Sequence, residues 1–152
     1  MNESIVEFEG VYKKFGDKEV FKDLNINIPK GKIVGLLGPN GSGKTTMIKM
    51  INGLTQCDKG KVKINGLKLS VKTKEIISYL PDRNHLNEDM KVKEVLKFFS
   101  DFYKDFDMKK AKDMIEKLNI DINEKIKSMS KGTKEKVALI LAMSRNAIIY
   151  IR

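Results

Sequence analysis

Nine consecutive residues, Gly38-Pro39-Asn40-Gly41-Ser42-Gly43-Lys44-Thr45-Thr46, constrain this chain more than any other feature. They fill every fixed position of the pattern G-x-x-x-x-G-K-[ST], with Gly38, Gly43, Lys44 and Thr45, which is the pattern of a phosphate-binding loop. A phosphate needs several N–H donors converging on one point, and glycines let the backbone curl into that shape. The Lys44 ammonium can then reach the β- and γ-phosphates, and the Thr45 hydroxyl can ligate Mg²⁺. Both flanks agree. The apolar run Ile33-Val34-Gly35-Leu36-Leu37 predicts a buried parallel strand ahead of the loop. Met47, Ile48, Met50 and Ile51 follow at helical spacing, so the loop feeds a helix whose positive N-terminus faces the anion. A glycine-rich surface turn would need neither flank.

The rest of the chain divides by periodicity. Ser4 to Val11 alternates weakly and predicts a strand. Leu24, Ile26 and Ile28 alternate with Asn25 and Asn27, a half-buried strand stopped by Pro29. Asn52-Gly53 reads as the stop of the loop helix. Val62 and Ile64, Asn65-Gly66, then Leu67 and Leu69 predict a hairpin. Ile76 to Leu80 predicts a strand closed by Pro81. Val92, Val95, Leu96, Phe99, Phe102 and Tyr103 then recur at helical spacing, as do Met108, Ala111, Ile115 and Leu118. Ser128 to Thr133 is a polar break, Glu135 to Arg145 a buried helix, and Ile148 to Ile151 the start of another strand. The expected organisation is a β-rich phosphate-loop core over 1–89, a helical insertion over 90–132, and a helix with an opening strand over 133–152.

This order resembles the nucleotide-binding domain of ATP-binding cassette (ABC) transporter proteins over the whole chain. A second anchor is Ser128-Met129-Ser130-Lys131-Gly132-Thr133, placed where the family carries Leu-Ser-Gly-Gly-Gln. Ser130 and Gly132 match; Met129, Lys131 and Thr133 depart from the pattern. The resemblance implies an α/β P-loop NTPase core with an N-terminal antiparallel β part and a helical insertion. It implies ATP and Mg²⁺ as cofactors. The ATP ligands would be Gly38, Pro39, Asn40, Gly41, Ser42, Gly43, Lys44, Thr45 and Thr46. Phe15 would stack on adenine, with Tyr12 as the less favoured aromatic. Ser130 and Gly132 would face the γ-phosphate held by a second, head-to-tail protomer, and Lys131 would add positive charge there. Thr45 would ligate the metal. Asp82 falls where the family places a glutamine that touches Mg²⁺ or water and senses the membrane partner; the shorter, charged side chain leaves that role open.

Three family residues have no counterpart: the Mg²⁺-holding Asp and general-base Glu that follow the last strand, and the switch histidine. Arg152 falls just before the position of that Asp. The fold is therefore expected to be C-terminally incomplete. General-base catalysis typically contributes about 10²- to 10⁴-fold, so no catalytic residue is assigned. The chain alone is expected to bind nucleotide and to hydrolyse it poorly or not at all.

Composition narrows the partners. The 152 residues carry a formal charge of +10, but arginine occurs only at Arg83, Arg145 and Arg152. Base readout favours arginine, and the lysines are interleaved with acids, so a solvated surface is the simpler reading and no nucleic acid is expected. The longest apolar stretch, Val137 to Met143, is far short of the roughly 18 residues of a membrane span. Cys57 is the sole cysteine, in keeping with a reducing compartment. His85 has no acid or cysteine at metal spacing and reads as a surface residue. The resemblance thus implies a cytoplasmic ATP-binding subunit, held on the inner face of the membrane by a membrane-spanning partner. A non-hydrolysing nucleotide-binding module is the alternative. A soluble relative acting on ribosomes or DNA would usually carry two cassettes in one chain or very long inserts, and neither is seen here. A GTPase needs an [Asn/Thr]-Lys-x-Asp guanine-reading motif, and none occurs in the sequence.

Overall fold

The computed structural model describes residues 3–81 and 86–152. They form two compact units, Met1–Glu75 and Ile76–Arg152, each considered by itself.

The first unit is built on an antiparallel sheet. Strands β1 (Ser4–Phe15) and β2 (Lys18–Pro29) form a hairpin through the two-residue turn Gly16-Asp17. β1 also pairs with β3 (Lys59–Ile64), which turns through Asn65-Gly66 into β4 (Leu67–Lys68), giving the order β2-β1-β3-β4. Both turn residues have positive φ, 51° and 73°, as a tight hairpin of this kind demands. Val6 stands opposite Ile64, and Phe8 opposite Val62; all four are buried. Same-face pairs of this sort are the unit of sheet stabilisation. Helix α1 (Lys44–Ile51) packs against β3 and buries Met47, Met50 and Ile51. A short helix α2 (Val71–Glu75) closes the unit, with Thr73 fully buried and hydrogen-bonded to Ser70.

Two features depart from the sequence reading. β1 and β2 run well past Val11 and start well before Leu24, because register shifts break the apolar alternation that would have marked them. The apolar run Ile33–Leu37 is no strand. Among the described residues no strand lies beside it, and Ile33 and Leu37 are 105% and 92% exposed. An extended segment becomes a strand only when a neighbour takes its backbone hydrogen bonds.

The second unit is mostly helical. Strands β5 (Ile77–Tyr79) and β6 (Ile149–Ile151) pair in parallel. Helices α3 (Val92–Phe102), α4 (Met108–Lys117) and α5 (Lys131–Met143) surround a core that includes Val95, Leu96, Ala111, Ile115, Ile126, Val137, Ile140 and Leu141. The helix starts are fixed by side chains. The Glu94 carboxylate accepts from the Lys91 N–H at 2.7 Å, and Asp107 accepts from the Lys110 N–H at 2.9 Å. Each satisfies an N–H that a helix terminus leaves without an intrahelical partner. Arg145, just past α5, is 6% exposed. Its guanidinium donates to both Asp105 carboxylate oxygens (3.0 and 3.1 Å) and to the Ile77 carbonyl (2.8 Å), and lies 4.1 Å from the Tyr103 ring centre. It ties β5, α5 and the α3–α4 connection together.

Candidate functional site

The phosphate-loop residues lie at the start of α1. Gly43 is its N-cap, at φ 96°, with no capping side chain. The first N–H groups of the helix are thus left pointing outward. No acidic residue sits in the first turn, so nothing opposes an anion there. Gly43 is glycine for a second reason: a Cβ built on it would lie 2.6 Å from the Phe21 ring and 2.9 Å from Val20. The buried Phe21 ring of β2 thus supports the loop from beneath, a link that the loop pattern by itself does not reveal.

The loop closes on itself. The Lys44 ammonium donates to the Gly38 carbonyl at 2.6 Å and to the Pro39 carbonyl at 2.7 Å. The Ser42 N–H donates to the Pro39 carbonyl at 3.2 Å, and the Met47 N–H to the Gly43 carbonyl at 2.8 Å. Gly38, Pro39, Asn40, Gly41, Ser42 and Thr45 are exposed; Gly43, Lys44 and Thr46 are half-buried. The structure therefore brings one ammonium, hydroxyls and free amide donors to one accessible bend. This is a donor set for a polyphosphate.

Phe15 ends β1, directly opposite Lys18 across the hairpin turn. It is 51% exposed, with the Lys13 ammonium 4.9 Å from its ring centre. Lys13 also pairs with Asp58 at 3.1 Å, and the Asp58 carboxylate accepts from the Lys14 N–H at 2.8 Å. That backbone bond, followed by the Lys13 ammonium, holds the Asp58 carboxyl below the usual carboxylate range. Tyr12, the other aromatic candidate, donates its hydroxyl to Glu19 at 2.7 Å. This contact pushes the Tyr12 phenol up. Its polar tip is engaged, whereas the half-open Phe15 ring has none.

In the second unit, Ser130 is the N-cap of α5. Its hydroxyl accepts from the Thr133 N–H at 3.1 Å and lies 2.9 Å from the Thr133 hydroxyl. The helix therefore begins at Lys131, four residues before the expected Glu135, and Gly132 lies in its first turn rather than in a loop. Ser130, Lys131 and Gly132 are exposed. A Cβ on Gly132 would meet nothing within 4 Å, so no internal packing demands a glycine there. Met129 is buried in the helical core, a position where methionine substitutes for leucine at small cost. Asp82 and His85 lie outside the described residues. Among the described residues no group of three or more His, Cys, Asp or Glu side chains could hold a metal, and no helix is long and apolar enough to cross a membrane.

Comparison with known proteins matches this arrangement to one family. The ABC transporter family model matches residues 21–152. An uncharacterised ABC transporter ATP-binding protein of Methanocaldococcus jannaschii is 36% identical over 151 residues, covering 96% of this chain and 54% of the relative. The ABC transporter ATP-binding protein YtrB of Bacillus subtilis is 31% identical over 150 residues, covering 97% of this chain and 51% of that protein. A solved ATP-binding subunit of an ABC transporter superposes with a TM-score of 0.86 at 25% identity, covering 97% of this chain and 65% of that one. The chain spans about half the length of the curated relatives it matches.

Proposed function

The chain belongs to the ABC transporter family, and on that premise we propose that it is an ATP-binding subunit that holds Mg-ATP in the Gly38–Thr46 loop. The observation that carries this reading is the loop itself: glycines where side chains would clash, the Lys44 ammonium, and an uncapped helix start without an acid. A triphosphate would displace the Gly38 and Pro39 carbonyls from Lys44 and take charge-assisted bonds from it. Pro39, Asn40, Gly41 and Ser42 form the bend over the phosphates, and Thr45 and Thr46 offer hydroxyls at the helix start. The half-exposed face of Phe15 suits a nucleobase, a contact worth about 1–3 kcal/mol by analogy with base–aromatic stacking.

Mg²⁺ fits at the Thr45 hydroxyl, since this ion commonly takes one or two protein ligands beside phosphate oxygens and water. Bound there, it would neutralise phosphate charge. Binding of Mg-ATP is the activity assigned to the loop. Ser130 and Gly132, with Lys131, form an exposed helix start suited to the γ-phosphate held by a second protomer. The work would be passed to a membrane-spanning partner, at the cytoplasmic face of the membrane.

Titration of the purified chain with Mg-ATP tests this reading. Saturable binding is expected, weakened about 10- to 100-fold in Lys44→Ala, as the loss of charged hydrogen bonds implies. Phosphate release is expected to stay at the Lys44→Ala level. A folded chain that ignores Mg-ATP would overturn the reading.

A further inference from the structure

Lys18 opens β2 immediately after the Gly16-Asp17 turn and stands in register with Phe15. Its ammonium reaches the phosphate loop: a Cβ built on Gly41 would stand 3.6 Å from Lys18 Nζ. Three nearby cations are engaged. Lys44 is held by two carbonyls, Lys13 by Asp58, and Lys22 by Glu19. Lys18 is exposed, and its ammonium makes no hydrogen bond or ion pair with any described residue.

We propose that Lys18 is a second phosphate-binding cation of this site, contacting the polyphosphate of the nucleotide from the hairpin side while Lys44 contacts it from the helix side. The inference rests on the nucleotide reading of the loop and adds a residue that the loop pattern does not contain. Its physical basis is placement. The β1–β2 hairpin carries Phe15 on one strand and Lys18 directly opposite. Val20 and Phe21 pack beneath Gly43 farther along the same strand. One rigid element thus supports the loop, offers a ring to the base and extends a cation over the loop's bend at Gly41. A polyphosphate carries several negative charges, more than one ammonium balances. A lysine with no competing acid partner keeps its charge available at no cost of breaking an existing ion pair. The four-carbon stem lets it follow the phosphates as they settle.

The experiment is a charge series on the full 152-residue chain, read by Mg-ATP titration at two salt concentrations, with circular dichroism confirming each fold. Lys18→Ala should weaken ATP binding about three- to tenfold. Lys18→Arg should stay near wild type, and Lys18→Glu should be weaker than Lys18→Ala. The gap between wild type and Lys18→Ala should narrow as salt rises. Lys14→Ala, on the same hairpin, is the control and should bind like wild type. If Lys44→Ala loses affinity while the Lys18 series is flat within twofold, this inference is wrong and the nucleotide reading stands. If wild type does not bind Mg-ATP, both fall. If Lys18→Glu binds no worse than Lys18→Ala, the role is steric and the inference is wrong.

Discussion

In the phosphate loop, Gly38 to Thr46, every patterned position is filled, yet the five residues ahead of it, Ile33 to Leu37, lie outside any strand and open to solvent. Around Ser130 the situation is reversed. Only Ser130 and Gly132 keep the family pattern, but the helix they start is capped, and Val137, Ala138, Ile140 and Leu141 are buried along it. The difference teaches that a motif and its support are separate quantities. The loop's shape is held locally, by Lys44 on two carbonyls and by Phe21 under Gly43. The Ser130 segment is held by a core to which three helices contribute.

The largest effect that would break this comparison comes from one substitution made in two places. Leu141→Ala, at 1% exposure, should destabilise by about 2–5 kcal/mol, the usual cost of emptying a core position. Leu37→Ala should change stability by less than about 0.5 kcal/mol, as exposed sites do. Urea unfolding of the two variants decides. Equal costs would mean that Ile33–Leu37 is covered in solution, and the contrast would vanish.

The next effect sharpens the Ser130 side. Ser130→Ala removes the acceptor of the Thr133 N–H and should cost about 1 kcal/mol, measured by the same unfolding. Its nucleotide affinity as a single chain should stay unchanged. A loss of affinity equal to that of Lys44→Ala would break the contrast between the two regions.

The smallest effect probes the hairpin beside the loop through pH. The Asp58 carboxyl is held below its usual range by the Lys14 N–H and the Lys13 ammonium. Its contribution is therefore complete above the unfolded value, about pH 4, and is lost as pH falls through the lowered folded value. Thermal unfolding of wild type and Asp58→Asn should differ at pH 7 and converge in acid. Solvent screening keeps the gap small. A gap that widens on acidification would reverse the sign and discredit the Asp58 contacts.

Legibility from sequence followed the range of the interaction responsible. The loop, helices α3 and α4, and the Asn65-Gly66 turn are governed by residues a few positions apart, and their patterns identify them. Strand pairing is not local. Val11 to Phe15 carry lysines and register shifts, so nothing in their own order reveals that they extend β1, and the apolar order of Ile33 to Leu37 cannot supply the neighbour a strand requires. The start of α5 was missed because Gly132 suggested a break, while the Ser130 cap that overrides it is a single hydrogen bond. Within the candidate site, the loop residues and Phe15 are the candidates that local order alone can name. Phe21, Val20 and Lys18 are not, because they meet the loop across the fold. Nothing in the sequence marks Arg145, the last residue of the expected Glu135 to Arg145 helix, as a buried tie between three segments; only the packed structure reveals it.

The grip of Lys44 on Gly38 and Pro39 has a consequence for kinetics. The bend is held by its own tether, and on the proposed reading an incoming anion would have to evict two oxygens before it could settle. Arrival would then be gated by how often that clasp springs open. A variant that loosens the clasp without removing the ammonium should quicken capture more than it deepens retention.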